Sequence, residues 1–240
     1  MKLNFGGMIS ISTIDWYGRS VSVIFFNNCP FRCVYCQNYR LLDAINPIDI
    51  KEVEKKIVDV KDFVSGVVFS GGEPTLQYEA LEHLTRFTKE HGLLVGIETN
   101  GYYPERLKRL IGKKLVDKIF LDIKAPLDDA QTYCMITGGI GEAAGRTHES
   151  LKLRGVPIEV RTTVFRSFAD IPKIAKSLEG HDCTYVLQQG IPENAPDGKI
   201  QKEKPFSRDE MIALARKILF LKDVRIRTRE KGEEKISPRI

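Results

Sequence analysis

The hydrophobic positions of this chain follow two spacings, one typical of buried strands and one typical of amphipathic helices. Short, nearly continuous apolar runs predict six strands that are covered on both faces. These runs fall at residues 21–26, 66–69, 93–98, 116–124, 158–164 and 184–188. The segments between them carry apolar residues at helical spacing, as at Ile50, Val53 and Ile57. Strands that alternate with helices predict a parallel sheet covered by helices.

Local signals mark where several of these helices begin and end. Gly92 follows the second helical pattern, as a glycine after a helix C-cap does. Pro104 is placed to begin a short helix, and the pair Ser207 and Glu210 predicts a capping box. Residues 127–145 show neither spacing, so we predict an irregular segment there.

Two topologies fit this order of elements, an open doubly wound sheet and an incomplete (β/α) barrel. We predict the second, an α/β fold that forms a partial (β/α)6 barrel with parallel strands. We expect a hairpin extension at residues 1–20, one domain at residues 21–221 and a charged tail at residues 222–240. In either topology, the chemistry is expected at the C-terminal ends of the strands.

The composition narrows the classes of partner. The formal net charge of +5 is small, and its basic residues are scattered except near the C-terminus, so we expect no nucleic-acid partner. No apolar run approaches the length of a membrane span or of a signal sequence, so we expect no membrane contact. The cysteines are clustered rather than spread as a disulfide framework, which predicts a reducing, cytoplasmic location.

Three of the five cysteines lie in one short stretch after the first predicted strand. Cys29, Cys33 and Cys36 have the spacing C-x3-C-x2-C, and thiolates are soft ligands for zinc or iron–sulfur clusters. A [4Fe–4S] cluster normally takes four cysteines, so three would leave one iron open to a further ligand. A closed zinc site needs a fourth ligand, and Cys134 and Cys183 do not form a second pair at ligand spacing. The cysteines alone leave both metals open.

Polar residues follow the ends of the other strands. The run Gly71, Gly72, Glu73 and Pro74 could let a backbone approach a ligand closely, or could be a plain strand-to-helix turn. Further polar residues lie at the ends of later strands: Glu98, Thr99, Asn100, Asp122, Lys124, Arg161 and Gln188. Since parallel strands end at one rim, we expect these side chains to converge.

The cysteine motif, with Tyr35 before the last cysteine, and the glycine run of residues 71–74 together resemble the radical S-adenosylmethionine (SAM) superfamily. The match continues through residues 98–101, 122–126 and 161–164. In this fuller form the chain resembles the activating proteins of glycyl-radical enzymes, in particular those of anaerobic ribonucleotide reductase. The sequence departs from the pattern at Glu98, where related activases often have Asp, and at Gln37, where they often have His.

The resemblance implies one [4Fe–4S] cluster held by Cys29, Cys33 and Cys36, with SAM on its fourth iron. It implies no second cluster, because Cys134 and Cys183 are isolated. A small cation beside SAM is one further option. The residues that we assign to SAM binding are Tyr35, Gly71, Gly72, Glu73, Pro74, Glu98, Thr99, Asn100, Asp122, Arg161 and Gln188. We assign Lys124 as the catalytic residue that faces the substrate.

The implied activity is the reductive cleavage of SAM to a 5′-deoxyadenosyl radical, which generates a glycyl radical on a partner enzyme such as anaerobic ribonucleotide reductase. A flavodoxin or ferredoxin would donate the electron. The alternative keeps this chemistry and acts on a small molecule or a nucleic acid, as in the carboxy-deazaguanine synthases. A zinc or iron–sulfur binding module without catalysis is the third hypothesis, and the run of residues 71–74 argues against it.

Overall fold

The computed structural model describes residues 1–168 and 170–237. Among these residues the strands are β1 Lys2–Ser12, β2 Val21–Phe26, β3 Pro47–Asp49, β4 Gly66–Gly71, β5 Leu94–Thr99, β6 Lys118–Asp122, β7 Ile158–Val164, β8 Thr184–Gln189, β9 Val224–Thr228 and β10 Gly232–Lys235. The α-helices are α1 Ile50–Val60, α2 Tyr78–Glu90, α3 Pro104–Gly112, α4 Ala130–Ile136, α5 Ala143–Leu151, α6 Ile171–Lys176 and α7 Arg208–Arg216.

The chain divides into two compact units, and the boundary falls within β6. The first unit comprises residues Met1–Pro30, Arg40–Phe120 and Leu153–Pro157. The second comprises Phe31–Tyr39, Leu121–Lys152 and the chain from Ile158 onward.

In the first unit the strands run in the order β3-β1-β2-β4-β5. The pairs β2–β4 and β4–β5 are parallel, and Phe26 lies opposite Gly71 at the C-terminal ends of β2 and β4. β1 pairs antiparallel with both β2 and β3. The N-terminal hairpin is therefore made by β1 together with β2, rather than by residues 1–20 alone.

The helices of the first unit begin and end where the sequence indicates. Asp49 forms a capping box with Glu52 at the start of α1, whose buried face includes Val53. Gly92 has a φ of +74° after α2, as a residue that follows a C-cap requires, and Pro104 is the first residue of α3. The predicted helix limits are confirmed at these positions.

In the second unit β7 and β8 are parallel, β8 and β9 are parallel, and β9 pairs antiparallel with β10. Residues 224–235, which the sequence placed in a charged tail, form these last two strands. Val224 and Ile226 are buried, because the strand period of two turns them away from the charged residues between them. Residues 238–240 of the expected tail lie outside the described residues.

The segment predicted to be irregular, residues 127–145, contains α4 and the start of α5, so that prediction is wrong. α4 lies inside residues 127–145, and Asp129 caps it by accepting hydrogen bonds from the backbone and the hydroxyl of Thr132. α4 is short and α5 has small residues on its buried face, which leaves the hydrophobic spacing weak. The capping box of Ser207 and Glu210 at α7 is confirmed.

Parallel strands alternate with helices in both units, which confirms the predicted α/β class. Across residues 1–168 and 170–237, no helix is both long and apolar enough to cross a membrane.

Candidate functional site

The run of residues 71–74 holds the backbone just before the first cysteine. In the first unit the N–H of Gly72 donates to the carbonyl oxygen of Phe26, and the N–H of Glu73 donates to that of Asn28, both at 2.8 Å. The N–H of Asn28 donates in turn to the carbonyl oxygen of Leu41 at 2.8 Å. Asn28 has a φ of +69°, a left-handed conformation that asparagine tolerates better than most residues. The backbone that leads into the cysteine loop is therefore fixed from both sides.

The same contacts explain why residues 71 and 72 are glycines. A Cβ on Gly71 would lie 2.3 Å from the carbonyl oxygen of Phe26, and a Cβ on Gly72 would lie 2.1 Å from that of Asn28. Gly71 also has a φ of +119°, which other residues rarely adopt. The glycines therefore give room to the chain's own backbone.

The Glu73 carboxylate joins the end of β4 to the end of β5. It is fully buried, and one of its oxygens accepts hydrogen bonds from the backbone and hydroxyl of Thr75 and from the hydroxyl of Thr99 at 2.8 Å. Its other oxygen accepts from the backbone N–H of Asn100 at 2.8 Å. Burial raises the pKa of the Glu73 carboxyl, and these donors oppose that rise. The buried Glu73 carboxylate therefore fixes the positions of Thr99 and Asn100, two of the predicted site residues.

Asn100 points its side chain at the first cysteine of the motif. Its Nδ2 lies 3.5 Å from Cys29 Sγ, and its Oδ1 accepts a hydrogen bond from the N–H of Tyr102 at 2.9 Å. Glu98, near the end of β5, is half-buried and accepts a hydrogen bond from the Ser70 hydroxyl at 2.5 Å.

The predicted site residues of the first unit gather at the C-terminal ends of β2, β4 and β5, as expected for parallel strands. They are Cys29, Gly71, Gly72, Glu73, Pro74, Glu98, Thr99 and Asn100. Sequence reasoning missed Asn28 and Ser70. An asparagine directly before the cysteine loop could have indicated Asn28, because asparagine favours left-handed backbone.

In the second unit Tyr35 is a buried member of an aromatic cluster. Its ring stacks on Phe165, with 5.0 Å between centroids, and lies 5.7 Å from the ring of Phe168. Its hydroxyl donates to the backbone oxygen of Lys124 at 3.4 Å, and burial raises its pKa well above the ordinary tyrosine value. Tyr35 therefore fixes the chain between Cys33 and Cys36.

Lys124 and Asp122 form an ion pair, with 3.2 Å between Nζ and Oδ2. The Lys124 side chain is 13% exposed and that of Asp122 is 44% exposed. Burial alone would lower the pKa of the Lys124 ammonium, but Asp122 and then the Cys33 sulfur hold it well above its usual value. Burial raises the pKa of the Cys33 thiol to about 11, and Lys124 opposes that rise. Burial likewise raises the pKa of Cys36. Lys124 thus supplies a fixed positive charge to this loop.

Arg161 already has a carboxylate partner inside the second unit. Its Nε donates to Glu159 Oε1 at 2.7 Å, and both side chains are buried. Arg227 also reaches Glu159, at 3.3 Å, which links β7 to β9. Gln188 is half-buried on β8, with Thr163 as its neighbour on β7.

The chemistry of the donor set fits an iron–sulfur cluster. All five cysteines are free thiols, and three of them lie on the connection between β2 and β3. Within the described ranges, no three or more His, Cys, Asp or Glu side chains are grouped as a metal site. Soft sulfur donors suit iron, and the Asn100 amide at Cys29 is the type of N–H donor that supports a bound thiolate. Cys134 lies on α4, and Cys183 lies just before β8 with its pKa raised to about 11 by burial.

Comparison with known proteins gives the family. Residues 23–178 match the model of the radical SAM superfamily. A protein of Methanocaldococcus jannaschii named as a glycyl-radical enzyme activating enzyme is 33% identical over 95% of this chain and 97% of its own length. The pyruvate formate-lyase-activating enzyme of Clostridium pasteurianum is 31% identical over 62% of this chain and 63% of its own length.

A solved structure of TYW1 with a lysine–pyruvate adduct bound has the same fold. It is 18% identical with a TM-score of 0.67, and the match covers 91% of this chain and 80% of that one. The family match, the near full-length relative and this fold agree with one another. The chain belongs to the radical SAM superfamily, and within it to the activating enzymes of glycyl-radical enzymes.

Proposed function

We propose that this enzyme generates a glycyl radical on anaerobic ribonucleotide reductase. The family brings with it a [4Fe–4S] cluster, SAM and a protein substrate. The observation that supports the radical chemistry is the anchoring of the cysteine loop, through Asn28, to the run of residues 71–74. The choice of partner rests on the resemblance of residues 98–101, 122–126 and 161–164 to the activating proteins of that reductase. This arrangement connects the start of the cluster-binding loop to the part of the chain assigned to SAM.

We propose that Cys29, Cys33 and Cys36 hold the cluster. When bound, the cluster supplies the electron that breaks a carbon–sulfur bond of SAM. Lys124 keeps a positive charge beside Cys33, and this charge favours an anionic loop. We retain Lys124 as the catalytic residue toward the substrate.

Further residues are proposed to contact SAM. Glu98 and Asp122 present carboxylates to its polar groups, and Gln188 adds an amide from β8. Arg161, whose Nε donates to Glu159 at 2.7 Å, is proposed to contact the SAM carboxylate. Tyr35 is proposed to contact SAM from its position in the cysteine loop.

The proposal includes a flavodoxin or ferredoxin as electron donor and a cytoplasmic location. Both follow from the requirement for a strong reductant and for free thiols. We further propose a small cation beside SAM, with the carboxylates of Glu98 and Asp122 as its candidate ligands.

The test is an anaerobic incubation of the iron-loaded protein with SAM, a reductant and anaerobic ribonucleotide reductase. A stable glycyl radical on the reductase, detected by electron paramagnetic resonance, is the expected result. A pyruvate formate-lyase in place of the reductase is the matched control and should give no radical. A radical on pyruvate formate-lyase instead would exclude this partner and favour another glycyl-radical enzyme. SAM cleavage with no radical on either protein would favour a small-molecule or nucleic-acid substrate.

A further inference from the structure

Asn100 and Cys29 make a contact that the proposed function does not use. Asn100 Nδ2 lies 3.5 Å from Cys29 Sγ, within the range of an N–H to sulfur hydrogen bond. We propose that Asn100 is a positioning residue that donates a hydrogen bond to the Cys29 thiolate and thereby raises the reduction potential of the cluster. The inference rests on the proposed role of Cys29 as a cluster ligand.

The orientation of the Asn100 amide is fixed by its other contacts. Its Oδ1 accepts the N–H of Tyr102 at 2.9 Å, so a flipped amide would set an NH2 group against that donor. The backbone N–H of Asn100 donates to Glu73 Oε2 at 2.8 Å, and the side chain is buried. The NH2 group is therefore the end that faces Cys29.

Hydrogen bonds also hold the backbone next to the Cys29 sulfur in place. Asn28, directly before Cys29, accepts a hydrogen bond at its side-chain oxygen from Asn4 at 2.6 Å and donates one to the Leu42 carbonyl at 3.1 Å. Its backbone oxygen accepts the N–H of Glu73 at 2.8 Å. Glu73 thus binds the neighbour of the cysteine through its backbone and Asn100 through its carboxylate. One residue sets the distance between the donor and the sulfur.

The direction of the effect follows from charge. Reduction adds one electron to the cluster, and the added negative charge is shared by its sulfur ligands. An N–H donor stabilises a more negative sulfur more strongly, and hydrogen bonds to the sulfurs are among the factors that set cluster potentials. Loss of the Asn100 donor should therefore make the cluster harder to reduce.

The test variant is Asn100→Ser. A serine hydroxyl can still accept the N–H of Tyr102 in a turn, but it is too short to reach the sulfur. We expect the midpoint potential of the reconstituted protein, measured by anaerobic optical titration, to shift to a more negative value. Iron and sulfide per chain should equal those of the parent. The same substitution at the exposed Asn194 should leave the potential unchanged.

Asn100→Asp is the second variant, because it keeps an acceptor for Tyr102, removes the N–H donors and adds a negative charge. We expect a larger negative shift than with Asn100→Ser. A fully loaded variant with the parent's potential would overturn the inference. Partial loading with an unchanged potential would show a structural role only, and would also overturn it. A parent protein that assembles no cluster would instead refute the proposed function.

Discussion

The backbone N–H of Glu73 donates a hydrogen bond to the carbonyl oxygen of Asn28, at 2.8 Å. This bond connects the end of the glycine run to the residue before Cys29. The Glu73 side chain accepts in the same region from Thr99 and from the backbone of Asn100. A motif assigned to cofactor binding therefore also builds the support of the cluster-binding loop.

Gly72→Ala should destabilise the first unit and lower iron loading together. The added Cβ would lie 2.1 Å from the Asn28 carbonyl oxygen, which is backbone and cannot rotate away. We expect a loss of about 3 kcal/mol in the free energy of unfolding, measured by urea denaturation of the apoprotein. Gly112→Ala is the control, since a Cβ there meets nothing within 4 Å. An unchanged unfolding midpoint for Gly72→Ala would contradict this account of the glycine.

Glu73→Gln should cost about 3 kcal/mol of stability although it preserves shape. The new NH2 group would replace one of the two carboxylate oxygens. It would then face either the donors of Thr75 and Thr99 or the N–H of Asn100, and these buried donors would have no acceptor there. Thr99→Val removes one donor to the carboxylate and the acceptor of the Gly101 N–H at 3.1 Å, and should cost about 2 kcal/mol. Equal unfolding free energies for the two variants would show that the carboxylate does not organise this region.

Replacing any one cysteine of the motif with alanine should abolish the bound cluster. Each substitution, at Cys29, Cys33 or Cys36, would remove one of the three thiolate ligands. The measurement is iron per chain after anaerobic reconstitution, with the visible absorbance of the cluster as a second readout. Cys134→Ala and Cys183→Ala are the matched controls and should load as the parent does. Full loading of Cys33→Ala would falsify the ligand assignment.

Lys124→Met should reduce radical transfer at least about tenfold while iron loading stays within about twofold of the parent. The substitution keeps most of the side-chain volume but removes the ammonium that is paired with Asp122 at 3.2 Å. The rate of glycyl-radical formation on the partner, measured by electron paramagnetic resonance, is the readout. Lys173→Met is the control, because that lysine is exposed and pairs only locally. Equal rates for the two variants would remove Lys124 from the catalytic set.

Lowering the pH should destabilise the first unit, because it protonates the Glu82 carboxylate. This carboxylate accepts from Lys113 at 2.6 Å, from Tyr78 at 2.6 Å and from Arg86 at 3.2 Å, which lowers its pKa to about 2. Because the folded-state pKa is depressed, this stabilisation is present above pH ~4.5 and is lost as pH falls toward 2.

Glu82→Gln should therefore lower the free energy of unfolding by about 1 kcal/mol at pH 7, a value reduced for solvent screening. The difference from the parent should shrink as the pH approaches 2, measured by urea denaturation across the range. The exposed Glu179→Gln variant is the control and should be as stable as the parent at pH 7. A difference for Glu82→Gln that is independent of pH would contradict the charge argument.

The sequence by itself determined the alternation of strands and helices. Apolar residues mark the buried positions, which form short continuous runs in the buried strands and recur at helical spacing in the helices. The sequence also determined the helix ends at Gly92, Pro104 and Ser207, since capping depends on residues close together in the chain. The cysteine spacing and the glycine run were sufficient to identify the superfamily.

Only the tertiary structure decided what the polar residues contact. Arg161 pairs with Glu159. Arg225 and Arg227 on β9 pair with Glu233 on β10, so a segment predicted as a solvated tail belongs to the sheet. The glycines at 71 and 72 make room for the backbone of β2 and Asn28. The contacts of these two glycines join residues far apart in the chain, and local spacing carries no information about which distant group will fill a given space.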